Sequence, residues 1–428
     1  MEFFQLGMLL LPMFILMGLG APIFLAMGIT CLLFVLLFDL PTMILAQSYV
    51  RGLYSYDFLA LPFYFLAGDL MNTGGITARL VNFSQALIGH IRGGLSHVNI
   101  VASMIFSGVS GSAVADTSAI GSVIIPSMKR DGYPGAYSAT VTAASSTIGP
   151  IIPPSIPLVV YGLISHVSIG KLFLAGAIPG IMMGIYLLVA SFIISHRRGY
   201  PATQWVGLKK LFRAGLDAAL AIMMPVIILG GIITGIVTPT EAGVIAVVYG
   251  LVLGCFVYRE IKLKDLPRIF GQTMVNCATI LIIIASSGLF CWIVANMGIG
   301  KILVGFFLSI STNKWVILGI LNVFFLLWGC VLDPVTAMLI LLPILIPLVQ
   351  QVEINLIHFG VVIVMNLMIG LVTPPVGILL YLSASIADAK LERIIREMVP
   401  FLIALLLALV ICTYVPGIVM WLPDLLMK

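Results

Sequence analysis

The sequence predicts an all-α, polytopic membrane protein made of two inverted repeats, each with a re-entrant hairpin and a broken transmembrane helix. The 428 residues are 61% apolar and only 9% charged, and the mean hydropathy is +1.21. These values lie far outside the range of soluble globular proteins. Prolines interrupt two long apolar segments, and matching polar and proline residues recur in the two halves of the chain. These three observations carry the prediction.

Apolar runs that are candidates for membrane helices follow one another along most of the chain. They cover about 3–18, 22–38, 58–73, 80–128, 136–165, 172–195, 217–236, 240–257, 272–295, 302–350, 356–387 and 398–422. The six cysteines lie inside these runs without CxxC spacing, which argues against disulfides and zinc sites. The basic residues are scattered in short loops, so their net charge gives no indication of nucleic-acid binding.

The first interrupted segment, 136–165, contains prolines at 150, 153, 154 and 157. Each proline removes a backbone donor and costs about 3 kcal/mol inside a helix, so the helix is expected to break here. A second break is predicted at 370–377, within the segment 356–387. Such a break persists at membrane depth only where it is packed in protein or lines a wet cavity. Two interrupted segments in matching halves indicate the binding site of a secondary transporter.

Two further segments, about 98–128 and 315–349, are predicted to be re-entrant hairpins. In the first, a polar run divides the segment into apolar arms of about 10–12 residues, roughly 18 Å as helix, against a hydrocarbon core of about 30 Å. Neither arm is therefore expected to span the core. Basic residues flank both ends, which puts both ends on one side of the membrane. The second hairpin repeats the design, with its tip at 329–336.

The two halves can be superimposed through residues that recur at constant spacing. Asp116 and Pro126 correspond to Asp333 and Pro343. The glycine and paired prolines of the first break correspond to those of the second, and the Gly-Ile and Leu-Val pairs within 75–81 correspond to those within 298–304. Because these blocks keep the same order, they indicate an internal duplication.

The predicted domains follow from this duplication and from the positions of lysine and arginine. The first repeat is 1–198, with scaffold helices in 1–57 and a transport-domain half in 58–170; the second is 217–428, with scaffold helices in 217–270 and a transport-domain half in 272–388. The linker 199–216 is predicted to be an interfacial amphipathic helix, because Trp205 and Phe212 lie beside basic residues. If both termini are outside, most of the 21 lysines and arginines face the cytoplasm.

Asp116 and Asp333 are nearly the only carboxylates expected at membrane depth, where an ionisable group indicates a functional role. Each precedes a helical arm, and Pro334 follows Asp333, so helix N-capping is the competing explanation for both. The alternative is a cap that also shapes an ion site. The residues from Thr238 to Glu241 have the pattern of a capping box.

Small hydroxyl residues and glycines are concentrated at the hairpin tips and breaks. Hydroxyls, together with carbonyls freed by a broken helix, can bind a monovalent cation. Close helix packing is the commoner use of such residues in membranes. We prefer packing for 138–144 and cation coordination for 145–155. No lysine or arginine occurs in the middle of an apolar span, so an anion would have to be held by helix N-termini, hydroxyls and co-bound cations.

Two other functional classes are less well supported. The five histidines have no metal-ligand spacing, and no paired-carboxylate or nucleophile motif is present, so no enzyme activity and no cofactor are expected. A channel is a further alternative, but hairpins that enter from opposite faces fit alternating access better than a static pore.

Four motifs resemble the large membrane subunit of tripartite ATP-independent periplasmic (TRAP) transporters. They are SGSAVADTSAIGSVIIPSM at 110–128, SSTIGPIIPPSIPLVVYG at 145–162, GIVTPTEAG at 235–243 and VTPPVGILLY at 372–381. The resemblance covers essentially the whole chain. It implies an elevator-type importer of the ion transporter superfamily, located in the bacterial inner membrane and coupled to sodium ions.

The resemblance also implies partners and site residues. The partners are a small four-helix membrane subunit, expected as a separate chain, and a periplasmic binding protein that delivers an organic acid such as a C4-dicarboxylate or a sialic acid. The candidate sodium and substrate residues are Ser110, Gly111, Ser112, Asp116, Thr117, Ser145, Ser146, Thr147, Gly149, Pro153, Pro154, Ser155, Gly329, Asp333, Thr336, Gly370, Thr373, Pro374, Pro375 and Gly377. The alternative is a stand-alone sodium/dicarboxylate symporter without a binding protein.

Overall fold

The computed structural model describes residues 2–54, 56–202 and 204–427, and these residues form α-helices without any β-strand. The first-half helices are α1 (Glu2–Gly18), α2 (Ile23–Leu37), α3 (Met43–Leu53), α4 (Ala60–Thr73), α5 (Ile76–Ile88), α6 (Gly94–Ser110), α7 (Ala113–Arg130), α8 (Gly135–Ser146), α9 (Ile156–Ser165) and α10 (Ile169–Arg198). The second-half helices are α11 (Leu208–Ile233), α12 (Pro239–Leu251), α13 (Leu266–Asn296), α14 (Ile299–Ile310), α15 (Lys314–Gly329), α16 (Pro334–Gln351), α17 (Leu356–Gly370), α18 (Ile378–Ala387), α19 (Leu391–Tyr414) and α20 (Pro416–Leu426).

The predicted all-α, multi-pass architecture is confirmed. Within the described ranges, six helices are long and apolar enough to cross a membrane. A seventh span results if 304–310 and 314–329, which are bent by 114° relative to each other, are counted together. The expected outside location of the termini concerns Met1 and Lys428, which lie outside the described residues.

The first predicted hairpin consists of α6 and α7, but its helices have 17 and 18 residues and exceed the expected arms. The expectation of 10–12 residues was wrong because the polar residues near the tip remain helical. Their hydroxyls are satisfied within the helix: Ser107 donates to the carbonyl of Ser103 at 2.5 Å. Thr117 donates to the carbonyl of Ala113 at 2.9 Å. Such bonds to the preceding turn let polar residues continue an apolar helix.

Both predicted helix breaks are present. The first lies between α8 and α9 and the second between α17 and α18. Each contains a cis bond between consecutive prolines, Pro153–Pro154 in the first and Pro374–Pro375 in the second. Capping groups define neighbouring helix starts as well. The predicted capping box is confirmed, since the N–H of Glu241 donates to Thr238 Oγ1 at 3.3 Å and the N–H of Thr238 donates to Glu241 Oε2 at 2.7 Å.

The hairpins and broken helices interlock across the two halves. In the first hairpin, α7 packs against α8 of its own half and α18 of the other half. In the second hairpin, α16 packs against α17 of its own half and α9 of the other half. Polar contacts reinforce this exchange: Lys129 Nζ donates to the carbonyl of Ala387 at 2.8 Å, and the Tyr161 hydroxyl donates to the carbonyl of Leu356 at 2.6 Å. The first hairpin is α6 and α7, the second hairpin is α15 and α16, and the broken helices are α8–α9 and α17–α18. These eight helices therefore form one packed unit.

Four helices pack both against this unit and against helices α1–α3, α11 and α12, and we call them the connector helices: α4, α5, α13 and α14. The first pair packs against α12 and α11, whereas α13 packs against α2 and α3 and α14 contacts α1. In each pair the second helix starts after a glycine in the left-handed region, Gly75 (φ 72°) before α5 and Gly298 (φ 64°) before α14. The two glycines occupy matching positions in the two repeats. At each position the chain turns sharply between consecutive helices, which favours glycine.

The linker differs from its prediction. Leu208–Ile233 is one continuous helix, so no separate amphipathic helix occupies 199–216 among the residues described there. The amphipathic turns that contain Lys209 and Phe212 continue directly into the apolar part of α11. The physical reason is that no glycine or proline lies between Leu208 and the apolar residues that follow, except Gly215, which the helix tolerates at a cost of about 1 kcal/mol.

Candidate functional site

A cavity of about 320 Å³ lies where both hairpin tips meet the first helix break. Its wall is formed by residues 111–114 of the first hairpin tip, by Pro150, Ile156 and Pro157 of the first break, and by 333–335 of the second hairpin tip. Met368 and Leu371 add the end of α17, and Phe65, Asn276, Thr279 and Ile280 add the connector helices. Both halves of the chain therefore contribute to one cavity.

The tip of the first hairpin is a tight turn between α6 and α7. Gly111 has φ 60°, a conformation that favours glycine, and a side-chain Cβ there would lie 2.7 Å from the carbonyl oxygen of Pro154. Ser112 is the N-cap of α7, and its hydroxyl accepts the N–H of Ala115 at 3.5 Å. The tip therefore packs directly on the proline turn of the first break, within its own half of the chain.

Asp116 is fully buried behind this tip. Its Oδ1 accepts the hydroxyl of Ser110. Its Oδ2 is buried with no hydrogen-bond partner in the described structure and faces Gly149 of the first break, where a side-chain Cβ would collide with the carboxylate. The N-cap explanation for Asp116 is wrong, because Ser112 already caps α7 and Asp116 lies one turn further along.

The hydroxyls of the first break are buried and hold the end of α8 in place. Ser145 accepts the hydroxyl of Ser103 at 2.8 Å. Ser146 donates to the carbonyl of Thr142 at 2.8 Å and Thr147 donates to that of Ala144 at 2.7 Å. These three residues do not contribute to the cavity wall. Their hydroxyl protons are donated to neighbouring protein groups, so only oxygen lone pairs remain available to a ligand.

Ser155 is the N-cap of α9 on the other side of the same break. Its hydroxyl accepts the N–H of Leu158 at 3.2 Å and donates to the carbonyl of Pro150. Pro153 and Pro154 are buried within the turn. The turn therefore closes on itself through Ser155 and presents Pro150 and Ile156 to the cavity.

The second hairpin tip lies against the end of α17. Gly329 and Gly370 bring their backbones together, because a Cβ on Gly370 would lie 2.6 Å from the carbonyl oxygen of Gly329. Asp333 is the N-cap of α16, and its Oδ2 accepts the N–H groups of Val335 at 3.1 Å and Thr336 at 3.4 Å. The N-cap explanation is therefore confirmed for Asp333, which also forms part of the cavity wall.

The second break contributes less to the cavity than the first. Thr373 donates to the carbonyl of Ile369 at 2.7 Å, and Gly377 starts α18 with φ 55°. Pro374 and Pro375 are exposed and do not contribute to the cavity wall. The structure thus brings the two hairpin tips and the first break together, but only Leu371 represents the second break.

Three helix N-termini converge on the cavity, those of α7, α9 and α16, and among the residues whose side chains are described no lysine, arginine or histidine contributes to its wall. Each N-terminus carries roughly half a positive charge and offers backbone donors. At α16 the carboxylate of Asp333 already accepts two of these donors. The cavity therefore offers an anion the ends of α7 and α9, with a carboxylate opposite that accepts hydrogen bonds or attracts cations.

The connector helices also contribute to the site, although no motif in the sequence predicted them there. Phe65 of α4 and Asn276 and Thr279 of α13 form part of the cavity wall. Asp69 of α4 is a third carboxylate within the helical core, and its Oδ2 accepts the hydroxyl of Thr273 at 2.5 Å. Isolated polar residues in an apolar run, such as Asp69 and Asn276, could have indicated from the sequence that these helices contribute to the site.

The chain resembles known permeases over most of its length. It is 40% identical over 380 residues to the sialic acid TRAP transporter large permease protein SiaM of Vibrio cholerae, covering 89% of each chain. It is 37% identical over 369 residues to the C4-dicarboxylate TRAP transporter large permease protein DctM of Pseudomonas aeruginosa, covering 86% of each. These relatives are transporter permeases, in agreement with the absence of an enzyme motif.

A solved structure shares the fold. The crystal structure of the YdaH transporter of Alcanivorax borkumensis matches with a TM-score of 0.64 at 14% identity and covers 87% of both chains. Residues 10–418 match the family described as tripartite ATP-independent periplasmic transporter, DctM component. Together with the paired hairpins and breaks around one cavity, this match shows that the chain belongs to the DctM component family of tripartite ATP-independent periplasmic transporters.

Proposed function

We propose that this permease imports an organic acid anion by sodium-coupled secondary active transport. The observation that carries the proposal is the cavity of about 320 Å³, where the N-termini of α7 and α9 meet the second hairpin tip without any basic side chain in the wall. Helix N-termini favour a carboxylate, so an anion can be held here without a basic side chain.

The names of the relatives support the substrate class. SiaM of Vibrio cholerae carries sialic acid in its name and DctM of Pseudomonas aeruginosa carries C4-dicarboxylate. Both are organic acids, and both carry at least one carboxylate. In our proposal the carboxylate lies at the ends of α7 and α9, while Asp333 accepts a donor group of the substrate or attracts a co-bound cation.

Asp116 is the proposed centre of a sodium site. One of its oxygens is buried and unpartnered beside the backbone of Gly149. An uncompensated buried carboxylate is costly, and a hard cation with oxygen ligands neutralises it. Carbonyl groups at the C-terminal ends of α6 and α8, next to Ser110 and Ser146, supply further oxygens and the negative ends of two helix dipoles.

The proposed movement is of the elevator type. The mobile body consists of the interlocked helices α6–α9 and α15–α18, and the fixed scaffold consists of α1, α2, α11 and α12. This body is smaller than the transport-domain halves 58–170 and 272–388 predicted from the sequence, because the connector helices within those ranges pack against the scaffold. An apolar contact without side-chain hydrogen bonds would let the first hairpin slide along α11. A Cβ on Gly108 of this hairpin would lie 3.1 Å from Pro225 Cβ of α11. A glycine against a proline ring offers no polar bond that must break during sliding.

The proposed partners are those implied by the family: a small membrane subunit and a periplasmic binding protein that delivers the substrate. The proposed location is the bacterial inner membrane, with both termini on the periplasmic side. A stand-alone symporter is distinguished from this assembly by its independence of a binding protein.

Uptake into proteoliposomes tests the function. The permease is reconstituted with its small subunit, and a sialic acid and a C4-dicarboxylate are offered, each with and without a periplasmic binding protein that binds it. We expect uptake of at least one acid under an inward sodium gradient, and none under a potassium gradient. Equal uptake under both gradients would refute sodium coupling, and full uptake without the binding protein would favour the stand-alone symporter.

A disulfide tests the movement. Cysteines at Gly108 and Pro225 in a cysteine-free background have a Cβ separation close to the usual range of about 3.5–4.5 Å. Oxidation is expected to stop transport, and reduction to restore it, while each single-cysteine variant stays active under both conditions. Undiminished transport with the disulfide confirmed in place would exclude the elevator and favour local opening of the hairpins.

A further inference from the structure

A polar cluster on the connector helices lies outside the hairpins and breaks. Asp69 of α4 is partly buried, and its Oδ2 accepts the hydroxyl of Thr273 of α13 at 2.5 Å. The ion pairs formed by described residues join Arg79 to Glu260 and Arg198 to Glu397, so Asp69 has no basic partner in this part of the chain. A carboxylate without a counter-charge between apolar helices of a membrane protein indicates a functional role.

A second oxygen in this cluster also lacks a partner. Asn72 follows Asp69 by one helical turn, so the two side chains share a face of α4. Its Oδ1 is buried and accepts no hydrogen bond from any described residue. On α13, Asn276 follows Thr273 by one turn in the same way. The two helices thus contribute a carboxylate and two amides, while the Thr273 hydroxyl only donates to the carboxylate and does not line the adjacent cavity.

These groups open onto a small cavity of about 190 Å³ beside the first hairpin. Asp69, Asn72 and Asn276 form its connector side, and Ser110, Ser112 and Ser118 form its hairpin side. The cavity shares Ser112 and Asn276 with the larger cavity. Ser110 connects it to the buried carboxylate, because its hydroxyl donates to Asp116. The polar wall is therefore rich in oxygen and contains no basic group.

We propose that Asp69, Asn72 and Asn276 form a second cation site, through which a sodium ion passes on its way to or from Asp116. The inference rests on the proposed sodium coupling and adds residues on helices that do not belong to the mobile body. The ligand class follows from the chemistry: carboxylate, amide and hydroxyl oxygens bind hard monovalent cations. A volume of about 190 Å³ leaves room for the ion to keep part of its water shell.

A structural tether between α4 and α13 is the competing explanation for Asp69. A tether accounts for the bond from Thr273, but asparagine would accept it equally well without a buried charge. It also leaves the unpartnered Oδ1 of Asn72 unexplained. Cation binding accounts for the charge and the unpartnered oxygen together.

Equilibrium binding of radioactive sodium ions to the purified permease with its small subunit tests the proposal, with choline chloride keeping the ionic strength constant. The Asp69→Asn variant preserves size and hydrogen bonding but removes the charge, and we expect its sodium affinity to fall about tenfold. Asn72→Ala is expected to weaken binding in the same direction. Thr273→Val removes the tether only, and Asp217→Asn removes an exposed carboxylate elsewhere, so both should bind sodium as the wild type does.

The outcomes separate this site from the proposed function. A binding curve of Asp69→Asn that superimposes on that of the wild type would overturn the second site, and so would an equal loss of affinity in Thr273→Val. Because binding is measured without transport, either result leaves sodium-coupled uptake intact. Conversely, a wild type that takes up its substrate without a sodium gradient would refute the coupling, whatever the binding curves show.

Discussion

Replacing Gly370 by alanine is expected to separate the tip of the second hairpin from the broken helix α17. The new Cβ would lie 2.6 Å from the carbonyl oxygen of Gly329 and even closer to other backbone atoms of that residue. Ordinary van der Waals contacts begin near 3.4 Å, so the helices would have to separate by about 1 Å. Overpacking of this kind costs about 1–3 kcal/mol, of which the better helix propensity of alanine offsets at most about 1 kcal/mol.

Gly329→Ala is the matched control, since it adds the same group to the same contact from the other side. There the nearest atom to the new Cβ is the Cα of Leu367 at 3.1 Å, so a shift of a few tenths of an ångström suffices. We expect Gly370→Ala to lower both the apparent melting temperature and the uptake per molecule, and Gly329→Ala to change them little. Equal effects of the two variants, or wild-type behaviour of Gly370→Ala, would refute the reasoning.

Three further predictions concern the sodium site and the orientation. Asp116→Asn keeps an acceptor for Ser110 but removes the charge, so the sodium concentration for half-maximal uptake should rise about tenfold; an unchanged value would contradict the site. Alanine at all positions 145–147 removes oxygen lone pairs beside the first break and should also raise the sodium requirement at near-normal expression, whereas unaltered sodium dependence would count against coordination there. In a cysteine-free background, a cysteine near Lys314 should react with an impermeant thiol reagent in intact cells and one near Arg130 should not, and the reverse pattern would overturn the inverted orientation.

The breaks and hairpins could be predicted because their causes are local. Four prolines within 150–157 remove backbone donors that no neighbour can replace, so the end of α8 follows from the sequence alone. The lengths of the hairpin helices could not be predicted in the same way. Ser107 and Thr117 look like loop residues in the sequence, but their hydroxyls bond to the preceding turn and the helices continue through them.

The two candidate aspartates show where sequence reasoning reaches its limit. Asp116 and Asp333 occupy matching positions in the repeats and have the same local explanation as N-caps. Only Asp333 caps its helix, because Ser112 supplies the cap in the first repeat and leaves Asp116 free to turn inward. Asp69 escaped notice for another reason, since its partner Thr273 is 204 positions away and their contact depends on how α4 and α13 pack.

The exchange of packing surfaces between the halves has a consequence for biosynthesis. The contact between Lys129 and Ala387 joins groups 258 positions apart, so α7 reaches the membrane long before α18 exists to cover it. Contacts of such sequence separation form late, after a long loop has closed. The first hairpin must therefore remain incompletely packed in the bilayer until nearly the whole chain has been inserted, and any factor that shields it during this interval will govern the yield of folded permease.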